Sequence, residues 1–161
     1  NEEILIDDYI STAEKRIGDY MTRFSGLKAG DLDINNKSNT HHVTDIKNTY
    51  LKLRYLLDVK KVKFIGHGLP NDFKIINIFV PKEQIIDTVE LYRLPNQRKI
   101  SLRFLCKYLL NQDIQQDTHD SIEDARTALR LYKKYLELKQ KNTFTSTLQD
   151  IYTLGRQTNW V

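Results

Sequence analysis

Three side chains suited to acid–base and metal chemistry stand at the ends of predicted structural elements: Asp72, His119 and Asp124. Carboxylate oxygens are the ligands that Mg²⁺ prefers, and a histidine that titrates near neutrality can take a proton from water. Two divalent ions about 3.5–4 Å apart can stabilise both the attacking and the leaving oxygen of a phosphodiester. These residues therefore predict an incomplete metal-dependent phosphodiesterase.

A structural role explains the residues around Asp124 as well. Ser121 and Asp124 fit a capping box, with Ser121 as the N-cap of an amphipathic helix. Acidic residues are common in a first turn because they interact favourably with the helix dipole. The five-residue separation of His119 and Asp124 is not diagnostic, since His67 and Asp72 show the same separation.

The carboxylates needed for two metal ions are not all present. The chain contains no Asp-x-Glu, the sequence that places two carboxylates on one face of a strand. Asp7 and Asp8 are poor substitutes, because neighbouring residues of a strand point to opposite faces. The predicted site therefore needs carboxylates from elsewhere.

Composition favours one globular domain with a hydrophobic core: the 161 residues are 40% hydrophobic and 29% charged. The net charge of +4 is compatible with a polyanionic partner. The single cysteine, Cys106, excludes an intrachain disulfide, which favours an intracellular protein, and it is expected to pack in the core. No apolar run approaches the roughly 20 residues of a membrane helix. Because the chain does not begin with methionine, we expect a longer parent protein.

Hydrophobic periodicity predicts short strands alternating with longer helices, the pattern of an α/β fold. Strands are predicted at residues 3–6, 64–66 and 85–88. Helices are predicted at residues 11–24, 43–57, 73–79, 101–109, 121–138 and 143–155. Residues 27–40 and 94–99 are predicted loops. His41 and His42 are interpreted as loop or helix-entry residues, with zinc binding as a remote alternative.

Four stretches, in this order along the chain, resemble the DEDDh exonucleases of the ribonuclease H-like fold: residues 64–73, 86–88, 100–105 and 119–129. Residues 6–12, 24–33 and 80–84 are more specifically similar to the nuclease domains of PAN deadenylase catalytic subunits, which are poly(A)-specific ribonucleases. The resemblance covers nearly the whole chain. It implies a ribonuclease H-like mixed sheet flanked by helices.

The resemblance also implies an activity and its site. The activity is 3′-to-5′ hydrolysis of messenger RNA poly(A) tails to AMP with two Mg²⁺ ions. Asp72 matches the second acidic motif, Asp124 the final metal-binding aspartate and His119 the general base. Asp120 and Glu123 match no catalytic position, nor does the acidic residue at position 117. Partners implied are poly(A) RNA, the PAN regulatory pseudokinase subunit and poly(A)-binding protein, in the cytoplasm.

The family's first motif, an Asp-x-Glu on the opening strand, would lie upstream of Asn1. We therefore expect residues 1–161 to be one exonuclease domain without its N-terminal strands. We expect this fragment to be inactive and unstable alone, because a central strand edge would be exposed. The alternatives are a related nuclease with another substrate and a non-catalytic interaction module that kept the fold.

Single-stranded RNA is usually bound by basic groups and by flat or apolar surfaces. By position near the strand ends, the candidate substrate-binding residues are His67, Leu69, Asn71, Arg98 and Lys99. A structural role for His67 and a solvated loop for Arg98 and Lys99 are the alternatives. Adenine selectivity follows from the resemblance alone.

Overall fold

The computed structural model describes residues 2–39, 41–114 and 118–161. The strands in these ranges are β1 (Asp8–Ile10), β2 (His42–Thr44), β3 (Phe64–Gly66) and β4 (Ile85–Asp87). The helices are α1 (Thr22–Ser25), α2 (Ile46–Asp58), α3 (Leu69–Ile75), α4 (Thr88–Leu91), α5 (Leu102–Leu110), α6 (Ser121–Gln140) and α7 (Phe144–Gln157). Single 3₁₀ turns lie at Glu14–Arg16 and Lys82–Gln84.

The strands form two parallel pairs, which confirms the predicted α/β class. β1 pairs with β2, and β3 pairs with β4 so that Gly66 lies opposite Asp87. Among the described residues there is no antiparallel pairing of the kind expected in a mixed sheet. The carboxyl ends of β3 and β4 meet at one edge, where α3 and α4 begin.

The main hydrophobic core lies between α4, α5, α6 and α7. Leu105, Leu131 and Ile151 are fully buried, and the hydroxyl of the buried Tyr92 donates to the carbonyl of Leu131 at 2.9 Å. Cys106 is also fully buried, as predicted, and burial raises the pKa of its thiol. A smaller core packs α2 against β3 and β4; its buried members are Leu57, Ile78 and Val80.

A polar network joins β1, β2 and α2 through the Asp8 carboxylate. That carboxylate is 4% exposed and accepts hydrogen bonds from Lys52 Nζ at 2.7 Å and Thr49 Oγ1 at 2.8 Å. His42 Nδ1 lies 2.8 Å from its other oxygen. Burial raises the pKa of Asp8, but the hydrogen bonds from Lys52, Thr49 and His42 outweigh this and lower the pKa to about 2.

The predicted N-terminal elements are wrong. Residues 3–6 form no strand, and their apolar side chains Ile4 and Leu5 are exposed; the strand begins instead at Asp8. The predicted helix at 11–24 is reduced to a 3₁₀ turn and the four-residue α1, because Met21 adopts a left-handed φ of 47° that no continuing helix tolerates. The loop predicted at 27–40 is confirmed for residues 27–39, whereas His42 belongs to a strand.

The remaining helices occur near their predicted positions, with shifted ends. α2 begins at Ile46 because Asp45 accepts from the Asn48 N–H at 2.8 Å. The start of α6 corrects the predicted capping box: Asp120, not Ser121, is the N-cap and accepts from the N–H groups of Ile122 and Glu123. A charged acceptor one residue earlier caps the helix and also interacts with its dipole.

Three further boundaries differ for local reasons. α3 begins at Leu69, ahead of the predicted residue 73, because Gly68 turns the chain and Pro70 fits the first turn. Thr88, predicted as strand, begins α4. α7 continues through Gly155, where a side chain would collide with the ring of Trp160. No helix in the described ranges is long and apolar enough to cross a membrane.

Candidate active site

A cavity of about 550 Å³ lies where the end of β3 meets the first turns of α3 and α6. Asp72, His119 and Asp124 all line it, together with His67 and Leu69. The three residues with predicted chemistry are 52 positions apart at their extremes, yet the fold places them on one solvent-accessible surface. This convergence defines the candidate active site.

Two glycines bring α3 against the end of β3. A Cβ on Gly66 would lie 2.7 Å from Leu69 Cγ, which is closer than packed carbons allow. Gly68 has a φ of +89°, a conformation that costs glycine little. The chain can therefore reverse within two residues, and Asp72 falls in the first turn of α3.

His119 stands at the mouth of the cavity, on the loop before α6. Its backbone N–H donates to the Phe24 carbonyl at 2.6 Å, which holds the loop in place. Its Nδ1 lies 3.6 Å from Asp124 Oδ2, outside hydrogen-bonding distance but close enough for a favourable charge interaction when the imidazole is protonated. The His119 side chain is 53% exposed and that of Asp124 29%, so water can reach the imidazole while Asp124 stays partly shielded.

The environment of Asp72 disfavours the ionised form of its carboxyl. Partial desolvation at the cavity wall raises the pKa of its carboxyl; a hydrogen bond from its own backbone N–H opposes this shift, and the negative charge of Asp87 adds to it. A nearby cation would reverse these effects, because it stabilises the ionised form. Desolvation, more than the charge of Asp87, accounts for the raised pKa of Asp72.

The side chains fit part of a Mg²⁺ ligand set. Asp72 and Asp124 provide carboxylates from two walls of the cavity, and Mg²⁺ commonly takes one or two carboxylates together with waters and substrate phosphate. Within the described ranges, no group of three or more acidic, histidine or cysteine side chains is close enough to form a complete metal site. The donors present thus suit a hard cation that completes its coordination with other oxygens.

His67 connects three segments beneath the cavity. Its Nε2 lies 3.1 Å from the Ile100 carbonyl, so that nitrogen must carry a proton and donate. Its Nδ1 lies 2.9 Å from Thr88 Oγ1. Burial lowers the pKa of His67, although Asp87, the Ile100 carbonyl and Asp124 oppose this shift. The Thr88 hydroxyl itself donates to the Gly66 carbonyl at 2.8 Å. A side chain held near polar atoms at both ring nitrogens fits the structural interpretation.

The structure does not bring together all the predicted substrate-binding residues. Leu69 lines the cavity, whereas Asn71, Arg98 and Lys99 do not. The Arg98 guanidinium lies over the Trp160 ring, 4.7 Å from its centroid, and Lys99 lies 4.0 Å from Glu90. Nearness to a strand end along the chain did not predict which way these side chains point. The acidic residue at position 117 lies outside the described residues.

Sequence reasoning assigned no role to Asp87, which lies at the end of β4 beside the candidate site. Its Oδ1 accepts from the N–H groups of Gly68 and Val89, each at 2.9 Å. The available signal was an acidic residue that ends a short apolar run, Ile85-Ile86-Asp87. Asp120 is the N-cap of α6, and Glu123 lies in its first turn.

A second cavity of about 510 Å³ adjoins the site, and His119 and Ser121 line both. Tyr9 and His41 also line it, with their rings stacked at a centroid distance of 4.2 Å. His119 therefore stands between two accessible concavities.

Comparisons with known proteins agree with this geometry. A family model described as "Exonuclease" (RNase_T) matches residues 1–132. The chain is 56% identical over 159 residues to the PAN2-PAN3 deadenylation complex catalytic subunit PAN2 of Gallus gallus, covering 96% of this chain and 13% of that protein. It is 51% identical over 156 residues to the protein of the same name from Chaetomium thermophilum, covering 96% and 13%. The chain thus spans about an eighth of the length of these curated relatives.

Solved structures show the same fold. The Neurospora crassa Pan2 catalytic unit, containing protease and nuclease domains, superposes with a TM-score of 0.85 at 49% identity, covering 91% of this chain and 24% of that one. The Saccharomyces cerevisiae Pan2 pseudoubiquitin hydrolase-RNA exonuclease module in complex with A7 RNA gives a TM-score of 0.88 at 45% identity, covering 97% and 25%. These values support the ribonuclease H-like assignment of the fold.

Proposed function

Because the chain belongs to the exonuclease family, we propose that it is a nuclease domain that hydrolyses RNA from the 3′ end and shortens messenger RNA poly(A) tails, releasing AMP. The observation that carries the proposal is the meeting of Asp72, His119 and Asp124 on one accessible cavity. High identity to PAN2 catalytic subunits supports a deadenylase over other nucleases of the family.

In the proposed reaction, Asp72 and Asp124 would help to hold two Mg²⁺ ions, and further carboxylates from outside this chain would complete the ligand set. When bound, such ions polarise the phosphodiester and lower the pKa of an attacking water. His119 accepts the proton of that water. Because its Nδ1 faces Asp124, Nε2 is the nitrogen left to take the proton, and the Asp124 carboxylate stabilises the imidazolium that forms.

The proposed partners are poly(A) RNA, a regulatory pseudokinase subunit and poly(A)-binding protein, in the cytoplasm. Similarity to a catalytic subunit of a PAN2-PAN3 deadenylation complex supports the pseudokinase subunit. Similarity to a module solved with A7 RNA supports the RNA. The proposals of poly(A)-binding protein as a partner and of a cytoplasmic location rest on the resemblance of the sequence to PAN deadenylases.

The test is Mg²⁺-dependent shortening of 3′-labelled and 5′-labelled RNA by the intact protein. We expect poly(A) to be shortened faster than mixed-sequence RNA or DNA, and Asp124→Ala to lower the rate by about 10²–10³-fold. Asp150→Ala, which removes an exposed carboxylate on α7, is the matched control. Equal rates on all substrates would replace the deadenylase by a general nuclease. Absence of any cleavage would favour a non-catalytic module.

A further inference from the structure

The Asp87 carboxylate connects the ends of both strands that approach the active site. In the parallel register of β3 and β4, Gly66 lies opposite Asp87, so both strands end at the edge that supports the cavity. From this position Asp87 Oδ1 accepts from the N–H groups of Gly68 and Val89, each at 2.9 Å. One oxygen thus holds the turn before α3 and the first turn of α4.

The bond to Gly68 matters because that residue cannot cap α3 itself. Gly68 is the N-cap of α3, has no side chain to bond the free N–H groups of the first turn, and adopts a φ of +89°. The carboxylate from the neighbouring strand fixes the turn from outside. Asp72, in the first turn of α3, takes its position from this turn.

Thr88 and His67 make a second set of contacts between the ends of β3 and β4, beside those of Asp87. Thr88 Oγ1 lies 2.9 Å from His67 Nδ1 and 2.8 Å from the Gly66 carbonyl, and His67 Nε2 donates to the Ile100 carbonyl. The dipeptide Asp87-Thr88 therefore contacts each of Gly66, His67 and Gly68. Through Gly68 these contacts reach the first turn of α3, which carries Asp72, and through His67 they reach the wall of the cavity.

Resting on the proposed function, we propose that Asp87 is a positioning residue of this exonuclease: its carboxylate holds the Gly68 turn and so sets where Asp72 meets the metal. The oxygen that bonds both N–H groups is already used twice as an acceptor, which suits a cap better than a metal ligand. Removal of the acceptor should misplace Asp72 by enough to slow the reaction, since small displacements of a catalytic group are costly.

Two substitutions separate the hydrogen bond from the charge. Asp87→Asn keeps an oxygen that accepts from Gly68 and Val89 but removes the negative charge. Asp87→Ala removes the acceptor. For a positioning residue, we expect Asp87→Asn to keep kcat within about threefold of the wild type, and Asp87→Ala to lower kcat by about 10–100-fold with a smaller change in KM for poly(A).

Binding of Mn²⁺ to the intact protein, measured by electron paramagnetic resonance, provides a readout that does not depend on cleavage. We expect weaker Mn²⁺ binding in Asp87→Ala and near wild-type binding in Asp87→Asn. Asp87→Ser covers the case in which Asp87→Ala does not fold: serine can still cap α4 through Val89 but is too short to reach Gly68. Asp87→Ser should therefore show the same losses of kcat and of Mn²⁺ binding as Asp87→Ala.

Two outcomes would overturn the proposal. Equal losses of kcat and Mn²⁺ affinity in Asp87→Asn and Asp87→Ala would make Asp87 a metal ligand. Wild-type behaviour of Asp87→Ser would show that the bond to Gly68 positions nothing. If the wild-type protein binds Mn²⁺ but does not cleave RNA, the proposed function fails, while the same binding series still decides the role of Asp87.

Discussion

Asp8 begins β1 and Asp72 lies in the first turn of α3. The surroundings of the two carboxylates shift their pKa values in opposite directions. Asp8 is 4% exposed and is bonded by Lys52, Thr49 and His42, which lower its pKa to about 2. Asp72 faces an open cavity, and partial desolvation and the charge of Asp87 raise its pKa. The fold surrounds the first carboxylate with hydrogen-bond donors and leaves the second partly desolvated and under the influence of the Asp87 charge.

This is the difference expected between a structural carboxylate and a functional one. A carboxylate whose pKa is lowered on folding stabilises the folded state at neutral pH, and one whose pKa is raised destabilises it. Proteins tolerate the second kind where a cation or a substrate later compensates, and perturbed groups in clefts are therefore candidates for function. Asp8 belongs to the architecture of β1, β2 and α2, whereas Asp72 has the surroundings expected of the chemical role that we propose for it.

The largest expected effect is on catalysis. Asp72→Asn should lower Mg²⁺-dependent shortening of poly(A) by about 10²–10³-fold, because it removes a carboxylate that we propose to bind metal. The same substitution should leave the melting temperature unchanged or raise it by about 1 °C, since it removes a charge that the folded state disfavours. Gel-based cleavage assays and calorimetry of the intact protein measure the two quantities. A loss of activity that is accompanied by a large drop in melting temperature would place Asp72 with Asp8 as a structural residue.

The second largest expected effect is on the stability of the network around Asp8. Asp8→Asn leaves the Lys52 ammonium without its counter-charge and should lower the free energy of unfolding by about 1–3 kcal/mol. Its kcat, corrected for the folded fraction, should stay close to that of the wild type. Urea unfolding of the intact protein provides the free energy. Asp7→Asn, one residue earlier, is the matched control and should change it by less than about 0.5 kcal/mol; equal effects of the two substitutions would contradict the role of the network.

The sequence predicted elements that carry their own signals. Ser101 caps α5 as expected, and β3 appears where a short apolar run meets Gly66. The segment around Ile4 and Leu5 was predicted as a strand from its apolar pattern, but a pattern does not reveal whether a partner strand lies beside it. The same limit applies to Asp87, whose contacts with Gly68 and Val89 depend on the register of β3 with β4. Residues that act across elements were thus the ones that local patterns missed.

In the candidate site, too, some features were predictable from the sequence and others were not. The resemblance predicted Asp72, His119 and Asp124, and the structure places all three on one cavity. It did not predict that Arg98 would turn away to stack on Trp160, a residue 62 positions later in the chain. Chemistry that depends on residue type was predictable, whereas side-chain direction depended on packing partners far away in sequence.

The smallest and most specific effect is on pH dependence. Asp8, with its pKa lowered from an ordinary 3.8 to about 2, contributes stability that is complete above about pH 4 and is lost as the pH falls through about 2. Between these values the unfolded chain binds the proton first, so protonation favours unfolding. Asp72 has a raised pKa, so its effect has the opposite sign: the folded state gains stability as the pH falls through that pKa.

Urea unfolding between pH 2 and 7 should therefore show a shallower acid-side slope in Asp8→Asn than in the wild type, and a steeper one in Asp72→Asn. Slopes that change in the same direction for both variants would show that the two carboxylates do not differ in the way their surroundings indicate.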